Sequence, residues 1–208
     1  KNNLSLGGKS LIKRAIECAI KSNIYDEIVV SSDDQKILKL NKKFPKINFL
    51  KRKKLLAQDK TKAITVVLDI IKNYKSFFSV SLLLPTCPFR EAIDVQNAYK
   101  IFNTNYKNTV SATNYEFPPE FALKKNGYFF SPIKNSPLLK NKTRSQDFNS
   151  SLRPNGAISI SLIKNLLKEK NFFSNKMNVY KMSRDKSIDI DTRLDFEIAN
   201  LIQKKMYG

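Results

Sequence analysis

Histidine is missing altogether from the 208 residues. Its absence excludes a serine–histidine–aspartate triad, a histidine general base and any imidazole metal site. Chemistry in this chain would rest instead on positioning, metal ions and electrostatics, as phosphoryl and nucleotidyl transfer do. Cysteine is scarce too. Cys18 and Cys87 have neither metal-ligand spacing nor the numbers for a disulfide framework. Cys18 falls on an apolar helix face and reads as a small buried residue. Cys87 falls in a proline-rich loop, and both suit a reducing cytoplasm. No apolar run approaches the roughly 20 residues that span a bilayer, so no membrane partner is expected. The start carries no signal-peptide pattern. It opens on Lys1–Asn2–Asn3 rather than on methionine, so further residues are expected upstream.

Arginine is the third scarcity. Of 38 basic residues only 7 are arginine, although the net charge is +20. Nucleic-acid readers favour the forked guanidinium. Here the lysines are scattered through every helix beside asparagine, isoleucine, phenylalanine and tyrosine. That mixture reads as compositional drift on a solvated surface more than as a nucleic-acid footprint. The field would still attract a triphosphate or a carboxylated sugar.

What is present suits one domain with a real core, since 41% of residues are hydrophobic. Leu11, Ile12, Ala15, Ile16, Ala19 and Ile20 recur at helical spacing and predict a helix over about Ser10 to Ser22. A β-branched run, Glu27 to Ser32, follows as a strand and ends in Asp33–Asp34, a helix N-cap. Strand, helix and strand are expected at 47–50, 61–74 and 77–84. A helix at 92–102 and a strand at 109–112 complete an alternation that predicts an α/β domain with a largely parallel sheet. From Asn114 to about Pro154 prolines interrupt the pattern. Asn126–Gly127 marks a hairpin turn there, and 114–154 reads as an inserted lobe of the single domain 1–208. Strand and helix then resume, with a final helix from near Thr192.

Ligands of open α/β sheets bind beyond the carboxyl ends of strands, which directs attention to four segments. Asp189 and Asp191 stand two apart after an expected short strand, just before the last helix. In extended backbone they would point to one side and could share a hard cation such as Mg²⁺; the alternative is a helix cap and a salt bridge to Arg193. Leu84–Pro85–Thr86–Cys87–Pro88–Phe89–Arg90 would make a rigid shelf with one charged arm, or an ordinary turn. Arg144 and Arg153 flank the lobe and could fork onto a carboxylate or phosphate, or form surface ion pairs. Phe172–Phe173 could line an apolar pocket or pack in the core.

In order along the chain, several segments resemble the acylneuraminate cytidylyltransferase family, which makes CMP-activated nonulosonic acids. They are Lys1–Asn2, Gly8–Lys9–Ser10–Leu11–Ile12, Val30–Ser31–Ser32–Asp33, Arg52 with Leu56–Ala57–Gln58–Asp59, and Leu83 to Arg90. Arg144–Ser145–Gln146, Arg153–Pro154–Asn155–Gly156–Ala157–Ile158 and Ser187–Ile188–Asp189–Ile190–Asp191–Thr192 follow. The resemblance implies a Rossmann-like three-layer nucleotidyltransferase fold with a mainly parallel sheet and a small dimerisation lobe. It implies CMP transfer from CTP to the anomeric hydroxyl of a nine-carbon acidic sugar, with pyrophosphate leaving. It implies Mg²⁺ on Asp189 and Asp191, and a catalytic role for Lys1. Nucleotide contacts are implied for Lys1, Asn2, Arg52 and Thr86, and sugar contacts for Arg144, Arg153, Phe172 and Phe173, in a homodimer. The family's first strand and its glycine-rich nucleotide loop would lie ahead of Lys1, and without them CTP binding would be weak or absent. Leu84 stands where glutamine is usual, Cys87 where serine is, and Ala63 where a small hydroxyl residue is common. Phe121 follows Pro118–Pro119–Glu120 where sialic-acid-specific members tend to be basic. These departures point toward a legionaminate- or pseudaminate-type sugar. Competing readings are an enzyme for the eight-carbon 3-deoxy-manno-octulosonate, a basic nucleic-acid-binding protein, and a decayed homologue.

Overall fold

Ser10 starts the first long helix because its hydroxyl accepts the Lys13 N–H, and Asn23 ends it in a left-handed conformation. The structure is a computed structural model that describes residues 2–148 and 151–207. In chain order the elements are β1 (Ser5–Leu6), β2 (Lys9–Ser10), α1 (Leu11–Ser22), β3 (Val29–Ser32) and α2 (Gln35–Leu38). Then come β4 (Asn48–Lys51), α3 (Ala63–Ile71), β5 (Ser79–Leu82), α4 (Ala92–Asn103) and β6 (Thr109–Asn114). The last group is β7 (Leu123–Asn126), β8 (Phe129–Pro132), β9 (Leu152–Leu162), α5 (Ile163–Glu169), β10 (Asn178–Lys181) and α6 (Arg193–Tyr207).

The main sheet has the order β10-β6-β9-β5, and β3 pairs with β4 in a separate parallel ladder. The expectation of a mainly parallel sheet needs one correction. β5, β6 and β10 run one way, but β9 runs against both its neighbours. The cause lies in the lobe. The chain leaves the end of β6 at Asn114 and returns opposite it at Leu152, so no crossover helix intervenes to restore the parallel direction. β9 is also longer than the five residues expected from Ala157 to Ser161, because it runs through Pro154. Around that proline the pairing with β6 slips. Val110 faces Ser159 while Ala112 faces Pro154, so four residues, Asn155 to Ile158, bulge against Ser111.

Helices pack on the strands as the apolar periodicities require. Phe102, Val95 and Ala98 of α4 are fully buried against Ile158 and Ile160 of β9. Val67 and Ile71 of α3 meet Leu166 of α5 and Val110 of β6. A third apolar cluster joins Leu6, Leu11, Phe89, Ile190 and Ala199, pinning α6 beneath the loop after β5. The lobe contributes little to these cores. Its hairpin, β7 and β8, turns through Gly127–Tyr128, one residue later than the Asn126–Gly127 turn expected.

Candidate active site

Asp189 and Asp191 lie between a single 3₁₀ turn (Asp185–Ser187) and α6, not after a strand as the sequence suggests. Ile190 between them is 1% exposed and packs with Leu6, Leu11 and Phe89, while its N–H donates to the carbonyl of Thr86 at 2.9 Å. One residue thus docks the segment onto the loop after β5. Thr192 and Asp195 then start α6 reciprocally. Asp195 Oδ2 accepts the Thr192 N–H at 2.6 Å and the Asp191 N–H at 3.1 Å, and the Thr192 hydroxyl accepts the Asp195 N–H. The positive end of the helix therefore lies directly beyond Asp191.

Asp189 Oδ1 is buried and has no hydrogen-bond partner among the described residues. An ionised oxygen in that condition is costly unless a cation meets it. No group of three or more acidic or cysteine side chains is arranged to hold a metal ion among the described residues. A metal held here would have two protein carboxylates and would complete its shell with water and phosphate oxygens, which is the habit of Mg²⁺. The donor set fits that ion.

The bulge in β9 brings Gly156 against Asp189. Gly156 has φ +73°, and a Cβ built on it would lie 3.6 Å from Asp189 Oδ2, 3.6 Å from Cys87 Sγ and 3.3 Å from Leu84 Cδ1. Cys87 is buried and donates to the Asn155 carbonyl at 3.2 Å. Burial, reinforced by the negative charge of Asp189, pushes its pKa up to about 12, so it stands here as a neutral thiol. The charged arm expected of this loop is not offered to a ligand. Arg90 is 5% exposed and spends its Nη1 on the carbonyls of Leu84 (3.1 Å) and Ala157 (2.6 Å), tying the loop to β9.

Beside this segment is a cavity of about 430 Å³. Asn2, Arg52 and Thr86, three of the expected nucleotide residues, line it together. The Arg52 Nη2 donates to the Ser31 carbonyl at 2.7 Å, which fixes it at the carboxyl end of β3. The same cavity runs the full length of β3 and β5, and among the described residues neither strand has a ladder partner on that side. Tyr25, also lining it, buries a hydroxyl that has no hydrogen-bond partner there.

The remaining expected residues divide. Lys1 lies outside the described residues. Arg153 sits on β9 opposite Thr113, at the end of the sheet where Gly156 meets Asp189. Arg144 is well exposed in the lobe, 3.9 Å from Asp147. Phe172 is buried among Val67, Ile71 and Leu166, and Phe173 is 47% exposed. Both follow Asn171, whose carbonyl faces Asn108 just ahead of β6, so they lie at the opposite end of the sheet from Asp189. The sequence reading missed Asn155, Lys186 and Ser187 as parts of this site. Asn155 is 2% exposed; its amide donates to Ser187 Oγ at 2.9 Å, and its Oδ1 accepts from Ser111 Oγ at 2.6 Å. Lys186 pairs with Glu91 and with Asp94, at 3.4 Å from the latter; burial opposes its charge, but the two carboxylates outweigh this and raise its pKa. Asn155 and Ser187 stood inside segments that carry the resemblance, and Lys186 directly precedes one of them.

Gly156→Ala should cost more than Gly127→Ala. Both glycines have positive φ, but Gly127 faces open space. Each change carries roughly 1 kcal/mol or more of backbone strain, and at Gly156 the methyl also crowds Leu84. Urea unfolding of the two variants measures the difference, and equal losses would show that the bulge yields without strain.

Three comparisons with known proteins bear on this geometry. A family model described as cytidylyltransferase matches residues 1–207. The N-acylneuraminate cytidylyltransferase of Escherichia coli is 30% identical over 99% of this chain and 48% of its own length, so the chain spans about half of that relative. The pseudaminic acid cytidylyltransferase of Campylobacter jejuni is 32% identical over 98% of the chain and 89% of its own length. A solved CMP:2-keto-3-deoxy-manno-octonic acid synthetase, complexed with CTP, superposes with a TM-score of 0.69 at 13% identity, covering 99% of this chain and 92% of its own; at that identity it speaks for the fold alone. With a family model spanning nearly every residue and a relative of matching length, the chain belongs to the cytidylyltransferase family.

Proposed function

We propose that this chain transfers CMP from CTP to the anomeric hydroxyl of an acidic nine-carbon sugar and releases pyrophosphate. The observation that carries the reading is Thr86. It lines the cavity shared by Asn2 and Arg52, and its carbonyl holds Ile190 between the two aspartates. Nucleotide and cation residues thus meet at one residue. The sugar class rests on the relatives, whose names specify N-acylneuraminate and pseudaminic acid. The departures at Leu84 and Phe121 favour a legionaminate- or pseudaminate-type sugar.

In this reading the anomeric oxygen forms a bond to the α-phosphorus, and the bond from that phosphorus to the β-bridging oxygen breaks. The electron pair leaves on pyrophosphate and the hydroxyl proton passes to solvent. Asp189 and Asp191 hold Mg²⁺, which when bound neutralises charge developing on the phosphates. Lys1, Asn2, Arg52 and Thr86 orient the nucleotide, and Arg144 and Arg153 face the sugar carboxylate. The edges of β3 and β5 that face the cavity have no ladder partner among the described residues, and Asn2, Arg52 and Thr86 line the same cavity. The buried, unpaired thiols of Cys18 and Cys87 support a cytoplasmic site of action.

Pyrophosphate release tests the reading, using the complete protein with CTP, Mg²⁺ and a panel of acidic sugars. Turnover is expected with a nonulosonate, with a loss of roughly 100-fold in Asp191→Asn. No turnover with any nonulosonate, or turnover confined to the eight-carbon octulosonate, would contradict it.

The lobe supports a homodimer. Tyr128, Phe129 and Phe130 are 99%, 79% and 63% exposed on one hairpin, beside exposed Leu123 and Phe117. A second copy covering this face would bring its lobe, including Arg144, toward the neighbouring site. The double variant Phe129→Asp/Phe130→Asp should sediment as a monomer; an unchanged dimer would remove the hairpin from the interface.

A further inference from the structure

We propose that Lys186 and Ser187 are positioning residues that hold the Asp189 and Asp191 carboxylates at cation-binding geometry. The inference rests on the reading of those aspartates as the cation ligands.

Residues 182–192 join no sheet, so no backbone ladder sets where Asp189 sits. The position must come from side chains and single contacts. On the far side of Asp189, Ile190 provides one anchor through its burial and its bond to Thr86. On the near side there are two.

Ser187 is 1% exposed. Its hydroxyl donates to the Ser183 carbonyl at 2.6 Å and accepts from Asn155 Nδ2 at 2.9 Å. Asn155 is itself held by Ser111 on β6 and by the Ala157 N–H. Lys186 reaches the opposite way, to Glu91 and Asp94 at the start of α4. Asp94 is nearly dry and also accepts from the Tyr180 hydroxyl at 2.8 Å and the Glu91 N–H at 2.8 Å. Two adjacent residues therefore bind two different elements, β9 and α4, immediately before Asp189. β9 carries Gly156 against Asp189, and α4 continues the loop that carries Thr86. Both anchors fix the carboxylates relative to the parts of the site they must meet. Mg²⁺ demands near-ideal octahedral geometry, so loosening either anchor should be felt in cation affinity.

Charge supplies a sign that separates positioning from simple electrostatics. Lys186 is a cation close to a cation site. If it acted only through its field, removing it would tighten cation binding. A positioning role predicts weaker binding, and Ser187 predicts the same with no charge change at all.

The experiment is an Mn²⁺ titration of the complete protein, with free Mn²⁺ read by electron paramagnetic resonance, on variants first shown to be folded by circular dichroism. Ser187→Ala and Lys186→Met should each bind Mn²⁺ roughly 10-fold more weakly. They should raise the Mg²⁺ concentration needed for half-maximal turnover more than they lower kcat. Lys186→Arg should restore affinity, since guanidinium can meet both carboxylates, and Lys75→Met, exposed in the turn ahead of β5, should change nothing. Unchanged affinity in Ser187→Ala, or tighter binding in Lys186→Met, overturns the inference. If Asp189→Asn binds Mn²⁺ like the unaltered protein, the cation reading fails and the inference with it. If Asp189→Asn loses binding while both positioning variants keep it, only the positioning role is lost.

Discussion

A side-chain amide sealed from water must find its hydrogen bonds inside the protein, and Asn155 does so on both of its ends. Its oxygen takes the Ser111 hydroxyl of β6 and its nitrogen reaches Ser187 ahead of the aspartates. The bulge that lets it do so also puts Gly156 in the left-handed region, with no side chain to push Asp189 away. Had β9 paired with β6 without slipping, the residues after Pro154 would face other partners, and the segment before α6 would lose its tie to the sheet. The placement of two carboxylates therefore depends on a polar contact in the middle of an apolar layer. Such contacts stabilise little in net terms, but are expensive to leave half made.

The same economy runs through the loop after β5. Arg90 is consumed in holding two carbonyls, Cys87 is a neutral thiol under Asp189, and Phe89 is packed under α6. None is free to touch a ligand. Thr86 both lines the cavity and contacts the aspartate segment. In a protein with 38 basic and 18 acidic residues, two close carboxylates do not want for counter-charge at long range. What Asp189 Oδ1 lacks is a partner at short range.

The helices and most strands were legible from apolar spacing, because their buried faces follow the periods of helix and strand. α1 and α4 fall within a residue of expectation, and Asp34 caps α2 as the sequence suggested. The direction of β9 was not legible, since direction is decided by where a connection returns, and a proline-rich lobe gives no period to follow. Arg90 looked like a free arm because one sequence shows charge but not burial. Phe172 illustrates the reverse: its core alternative is where the fold places it. Asn155 and Ser187 fell inside resembling segments, but their contacts were not legible, for a simpler reason. Asparagine and serine are ordinary loop residues, and only the bulge and the 3₁₀ turn make partners of residues 32 apart. Asp189 and Asp191 were singled out by spacing, although the backbone there is an irregular connection and not a strand.

The central claim is that the segment docked on Thr86 is where the cation meets the nucleotide. Diffraction from crystals of the complete protein grown with CTP and Mn²⁺ tests it directly, because manganese gives an anomalous signal of its own. The account predicts a peak bridging Asp189, Asp191 and the triphosphate oxygens, with Asp189 Oδ1 turned onto the ion. A manganese peak held by other residues, with Asp189 Oδ1 still facing the protein, would contradict it.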